Sequence, residues 1–422
     1  MPPGLAGCPQ PMPPDLKSVR GGTALLEGGL IVPPNSIACA PLTTGVPQLD
    51  CNHHGSSVIE LADGTLVAAW YHGVAEKSTD SRLLWSTLAP GASTWTTPKV
   101  LYDDPQRAEG NPALWLGPDG ALFVFFVTIY GSDWNDSRPF FIRSTDRGVT
   151  WSPPVQLHDR CWMVRHPPLA LHNGDLLLPL YEECLYVPVF MRSRDGGKTW
   201  QPGKDVSLLD HFDQIQPALI QRADESVVAL TRDATPVKRI QQMQSQDGGD
   251  TWSPSVPTQL PNAATSIDQI RLPSGHVVVV FNNSPDNRFP LTAALSLDEG
   301  RTFAAVRDLI ADCPDGPGKC EYAYPAITAS QKDGTLWVTY THNRQTIGWV
   351  HFSEAWLAAG TATANIRCTA DEVCQDSDHT CQRLCDSDLE CSGGPGPMHC
   401  AARGVCEPTC PTGLPIIAHC VP

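Results

Sequence analysis

The sequence predicts an all-β fold: a six-bladed β-propeller followed by a small C-terminal cysteine-rich, disulfide-stapled module. Three observations predict it. An eight-residue motif returns about every fifty residues, six hairpin signatures interleave with it, and cysteines crowd the C-terminal end.

The motif reads Ser144-Thr-Asp-Arg-Gly-Val-Thr-Trp151, then Ser193 to Trp200, Ser245 to Trp252 and Ser296 to Phe303, with the serines 49, 52 and 51 residues apart. A worn copy sits between Trp85 and Trp95. The hairpins are apolar runs broken by a turn, starting at Val58, Ala113, Leu169, Ala218, Gln269 and Ala326. Asp-Gly, Asn-Gly and Ser-Gly pairs supply the positive φ of tight turns. Six units of blade size fit a ring of four-stranded sheets, which leaves only short protected edges. No seventh hairpin is present, and a constant interval favours a ring over an open sandwich. Each hairpin is assigned to the inner two strands of a blade, and the motif to the turn between the outer two. The repetition of Asp146, Asp195, Asp247 and Asp298 marks them as turn-stabilising acceptors rather than catalysts, with the terminal aromatic packing between sheets.

These signals place an N-terminal extension at residues 1–45, the propeller at 46–355 and the tail at 356–422. Seven of the sixteen cysteines precede residue 360, and nine lie between Cys368 and Cys420. That density reads as a disulfide framework and an oxidising, extracellular or secretory environment. Its spacings fit disulfides better than zinc. In the ring, Cys51 is a candidate partner for Cys39, and Cys313 for Cys320. Asn135-Asp-Ser137 and Asn282-Asn-Ser284 are candidate glycosylation sequons. The opening MPPGLAGCPQPMPPDLKS is no signal peptide, and is read as a processed or truncated start; a cytosolic protein with a metal-binding tail is the alternative. The net charge of −16 excludes a nucleic-acid surface, and no apolar run is long enough to span a membrane. A few clustered arginines can still hold an anionic small molecule, because salt screens diffuse surface charge. No cofactor is implied. Cys51, His53 and His54 lack an obvious partner set, so no metal site is expected.

The repeated S-x-D-x-G-x-T-W motif is the Asp-box, and the chain resembles the sialidase superfamily over about residues 45–355. It looks most like the BNR-repeat branch often labelled exo-α-sialidase. His54 to Leu61, Glu76 to Asp80, Asn111-Pro112, Gln216 to Leu219, Asn282 to Leu291 and Glu321 to Ala326 resemble that branch in order. The resemblance implies three arginines gripping a substrate carboxylate, a tyrosine nucleophile helped by a glutamate, and an aspartate as acid and base. A guanidinium matches a carboxylate bidentately, and a neutral phenol is not repelled by an acidic sugar. With a pKa near 10, that phenol needs a neighbouring base.

By position, the resemblance makes Arg232 and Arg288 two of the arginines, Tyr322 the nucleophile and Asp80 the acid/base. Tyr324 is assigned to packing. Two positions depart from the pattern. His54 stands where the first arginine belongs, and Gln216 where the helper glutamate belongs. Glu321, Glu182 and Glu183 are the candidate substitutes for that glutamate, and His54 is a candidate donor or base. Arg165, with His166 beside it, and Glu76, Asn111 and Gln216 complete the expected substrate-binding set.

The leading expectation is an exo-acting hydrolase releasing a terminal acidic sugar from sialylated or other acidic glycans. Two alternatives remain open. One is a polysaccharide lyase using His54 and Tyr322 on a uronic acid; the other is a non-catalytic glycan-binding propeller whose tail attaches to matrix or another protein.

Overall fold

The computed structural model describes residues 24–39, 51–159, 161–203, 212–314, 316 and 318–360, and four short strands of the tail. Six antiparallel sheets follow one another around a ring. Blades one to five run through 52–102, 108–156, 162–202, 214–261 and 268–310, and blade six through 322–352. All six expected hairpins are the inner strand pairs, for example Ala108–Leu116 with Leu122–Ile129. Strands second from the axis are covered on both faces and therefore read as unbroken apolar runs. Val277 to Phe281 is wholly buried, as is Leu122–Ile129.

The ring is closed by an element taken from the expected extension. Leu26–Leu30 pairs antiparallel with Thr346–Phe352 and forms the outer strand of blade six. Part of 1–45 therefore belongs to the propeller. A short helix, Glu354–Ala358, follows blade six and packs on the outer strands of blade five, burying Trp356 and Leu357. In the tail, Glu372–Cys374 pairs with Cys381–Arg383, and Met398–Cys400 with Cys406–Pro408. The rest of the tail's expected disulfide framework lies outside the described residues.

The four Asp-boxes repeat one set of bonds. In the first, Ser144 Oγ donates to Asp146 at 2.7 Å, and the Thr150 amide donates to the same carboxylate at 2.8 Å. Asp195, Asp247 and Asp298 receive the same pair of bonds. These donors hold the Asp146, Asp195 and Asp247 carboxyls down at about 2. The motif's aromatic ring reaches back to the previous blade: Trp151 meets Trp85, Trp200 meets Phe125, and Trp252 stacks on Phe190.

Cys39 and Cys51 are joined, as are Cys313 and Cys320. A further disulfide, Cys161–Cys184, ties the start of blade three to the end of its second strand. Asn282 cannot carry a glycan: its amide is buried and donates to the Pro290 and Tyr322 carbonyls.

Candidate active site

Four inner strands share a break near the ring's mouth. Their register slips between His54 and Ser57, Gly110 and Ala113, Ile215 and Ala218, and Ala323 and Ala326. At each slip one residue takes a left-handed backbone: Gly55, Asn111, Gln216 and Tyr324. Such a bulge re-aims its side chain out of the pleat. Gly55 is needed for space as well, because a Cβ there would sit 2.8 Å from the Tyr71 ring. The other three side chains line one cavity of ≈180 Å³ with Tyr71, Glu76, Tyr181, Glu183, Arg232, Arg288 and Arg344.

Arg232 Nη1 donates to the Tyr324 hydroxyl at 2.9 Å, and the Gln216 amide lies 3.2 Å from the same oxygen. Arg288 lies 5.6 Å from the centre of the Tyr324 ring. Arg344 donates to Glu76 at 2.6 Å and to Glu321 at 2.9 Å, and Arg288 donates to Glu321 at 2.7 Å. Burial disfavours the ionised form of Glu321, but Arg344 and Arg288 outweigh it and hold its carboxyl low. Arg232 differs from the other two. Among the described residues it has no carboxylate partner, and its buried Nε has no acceptor. A half-buried cation with an unpartnered Nε can take an anion from outside.

Glu183 faces the same cavity. Burial raises its carboxyl above the usual range despite the nearby Arg232 charge. Burial likewise keeps Tyr71 and Tyr181 neutral, and Glu76 adds to the effect on Tyr71. Tyr71 donates to Glu76 at 2.8 Å, and the Asn111 amide donates to Tyr181 at 3.2 Å.

Several expected positions prove different. Tyr322 is buried among Phe289, Tyr340 and His342, with its hydroxyl donating to the Asp312 carbonyl. It packs in the core, and Tyr324, expected to pack, is the tyrosine of this strand that lines the cavity. Asp80 is not in the cavity wall; its carboxylate accepts the Val74 amide at 3.0 Å and the Ser78 hydroxyl at 2.5 Å within its own loop. His54 is buried behind the wall, its ring 4.1 Å from that of Tyr324 and its Nδ1 2.8 Å from Thr341 Oγ1. Burial, and then the Arg344, Arg288, Arg165 and Arg232 charges, push its pKa well below the usual value. His54 is 1% exposed and is not one of the residues lining the cavity, with its Nε2 3.5 Å from Glu76 of the wall. Glu321 braces two arginines rather than a tyrosine.

Arg165 is buried and does not line the cavity. Its guanidinium lies 5.4 Å from the centre of the Tyr324 ring and donates to Ser56 O, Tyr324 O, Pro325 O and Ser266 Oγ at 2.8–3.1 Å. It thereby ties blades one, five and six together. The ring nitrogens of His166 lie 3.1 and 2.7 Å from the Pro217 and Ile267 carbonyls, and its single N–H donates to one of them. Glu76, Asn111, Gln216, Arg232 and Arg288 do meet at the cavity as a set.

Several wall residues escape the sequence reading, among them Tyr71, Tyr181, Tyr324 and Arg344. Tyr324 had a signal: Asn111-Pro-Ala-Leu, Gln216-Pro-Ala-Leu and Tyr324-Pro-Ala-Ile are one motif, whose first residue faces the cavity each time. Arg344 sits in a left-handed Asn343-Arg344 turn between two strands of blade six and looks like a solvated charge in sequence. A roomier cavity of ≈690 Å³, near Leu25, Leu272, Lys332 and Ser353, lies at the hairpin-turn end of blades five and six, and gathers no cluster of cations.

A family profile described as a BNR repeat-like domain matches residues 64–342, well over half of the chain. The chain belongs to the BNR repeat-like family. No curated protein sequence matches this family member significantly. Among solved structures, it is similar to a Dyadobacter fermentans protein of unknown function, at 18% identity and a TM-score of 0.61, covering 72% of this chain and 95% of that one. It is similar to the Ruminococcus gnavus intramolecular trans-sialidase at 14% identity and a TM-score of 0.61, covering 73% and 96%. It is also similar to the NanB sialidase of Streptococcus pneumoniae at 12% identity and a TM-score of 0.60, covering 72% and 69%. At these identities the likeness establishes the sialidase-like propeller fold of this BNR-repeat chain.

Proposed function

We propose that this protein is an exo-acting glycoside hydrolase that releases a terminal acidic sugar, sialic acid first, from glycoconjugates. The observation that carries this reading is the gathering of Arg232, Arg288 and Arg344 on the cavity that holds Tyr324, with Arg232 lacking an anionic partner. A carboxylate on the sugar supplies that partner and draws the ring down onto Tyr324. A cavity of ≈180 Å³ favours a chain end over the middle of a polymer.

In this reading Tyr324 gives its phenolic proton to water in the cavity as its oxygen bonds the anomeric carbon and the bond from that carbon to the leaving oxygen breaks. Arg232, bonded to its oxygen, stabilises the negative charge that develops there. Glu183, held protonated more readily than an exposed glutamate, gives its proton to the leaving oxygen. A specific feature favours a second reading, glycan binding without turnover: the neighbour of the Tyr324 hydroxyl is the Gln216 amide, which cannot take a proton.

Hydrolysis of a fluorogenic α-sialoside decides between them. Turnover that falls at least about 100-fold in Tyr324→Phe supports the hydrolase. Wild-type rates no higher than those of Tyr324→Phe, with the sugar retained on a glycan array, establish the binding reading.

A further inference from the structure

The back of blade one carries a cluster that the sugar site does not use. Cys39 Sγ, Cys51 Sγ and a ring nitrogen of His72 all lie within 4.8 Å of one another, and all three residues are buried. Tetrahedral zinc at ordinary bond lengths sets its sulfur and nitrogen ligands roughly 3.3–3.8 Å apart, so small movements suffice. His72 is an unusual buried histidine. Its Nε2 lies 3.4 Å from the Ala38 carbonyl, and its buried Nδ1 has no partner. A backbone carbonyl on one ring nitrogen is the arrangement that fixes a histidine tautomer for metal ligation by the other. His53, whose ring centre is 4.3 Å from that of His72, has its Nδ1 engaged by the Trp70 indole at 3.0 Å. It closes the site without being counted as a ligand.

We infer that Cys39, Cys51 and His72 form a redox-gated site for a thiophilic divalent cation of the zinc class. The two states exclude each other. In the oxidised state the sulfurs are joined as cystine and offer no thiolate. A dithiol reductant opens that bond, giving two cysteine thiols and becoming a cyclic disulfide itself. The cation then binds both sulfurs and His72, releasing two protons, and a solvent molecule takes the fourth position. Softness and geometry select zinc or cobalt over magnesium or calcium.

The test is cobalt(II) titration of the full chain after dithiol reduction, read by thiolate-to-cobalt charge transfer and the visible bands of tetrahedral cobalt. The tail thiols contribute equally to every variant, so the reading is a difference. We expect reduced wild type to bind one more cobalt per chain than Cys39→Ser/Cys51→Ser. Oxidised wild type should lack that cobalt too. His72→Ala should still form the Cys39–Cys51 disulfide, confirmed by peptide mapping, yet bind the extra cobalt at least tenfold more weakly. Equal cobalt stoichiometry in reduced wild type and the double serine variant overturns the site. Unchanged cobalt affinity in His72→Ala overturns its ligand set.

Discussion

The rim and the mouth of this ring use the same side-chain chemistry to opposite ends. At the rim, four aspartates sit in four copies of one turn, each with the same serine and threonine donors. At the mouth, four equivalent bulges carry four different residues, Gly55, Asn111, Gln216 and Tyr324. Sameness at equivalent positions marks a part that every blade needs. Difference at equivalent positions marks parts that must each do something separate. Carboxylates at the rim are satisfied within their own turns, whereas at the mouth Glu76 and Glu321 bond arginines from other segments.

That contrast can be broken at the mouth first. Tyr324→Phe removes only an oxygen, and should cut kcat on a sialoside by about 100- to 10,000-fold with little change in Tm. Equal loss of folding would make Tyr324 a rim-like part. Arg232→Met should raise KM roughly 10- to 100-fold, the value of one charged hydrogen bond of about 1.5–3 kcal/mol. A neutral sugar analogue should show no such change. For pH, Glu183 works protonated and its pKa is raised by burial. Activity should therefore extend above the ordinary glutamate range and fall as pH climbs through the raised value. Glu183→Gln should flatten that limb, and a limb that persists would assign it to another group.

The rim should answer in stability alone. Asp298→Ala should cost about 1 kcal/mol in denaturant unfolding and leave kcat/KM unchanged. Folded-state values of about 2 for Asp146, Asp195 and Asp247 lie below the ordinary ~3.9, so their contribution is complete above pH ~4 and is lost as pH falls towards 2. Replacing the three by asparagine should remove that acid limb from the unfolding curve; an unchanged limb would place the sensitivity elsewhere.

The same contrast explains what could be read from the sequence. The rim is local: serine, aspartate, threonine and tryptophan within eight residues make all their defining bonds to one another, so the string announces the structure. The inner hairpins are nearly as local. The mouth is built from residues distant in the chain, and its geometry depends on backbone breaks. Tyr322 and Tyr324 share a face in a regular strand, which is why position alone could not separate them. The left-handed bulge at Tyr324 turns that side chain into the cavity and leaves Tyr322 in the core. Arg344 offered no periodic clue, and Arg165 looked like a ligand because nothing in sequence shows that its donors already have four acceptors.

The strand Leu26–Leu30 finds its partner more than three hundred residues downstream, at Thr346–Phe352. During synthesis the earliest part of the ring must therefore wait for the latest, and no shorter nascent chain can be a closed circle. Arg344 lies two residues before that final strand, so the arginine cluster of the mouth is completed only as the clasp arrives. A half-made chain lacks both the closed ring and the full arginine cluster.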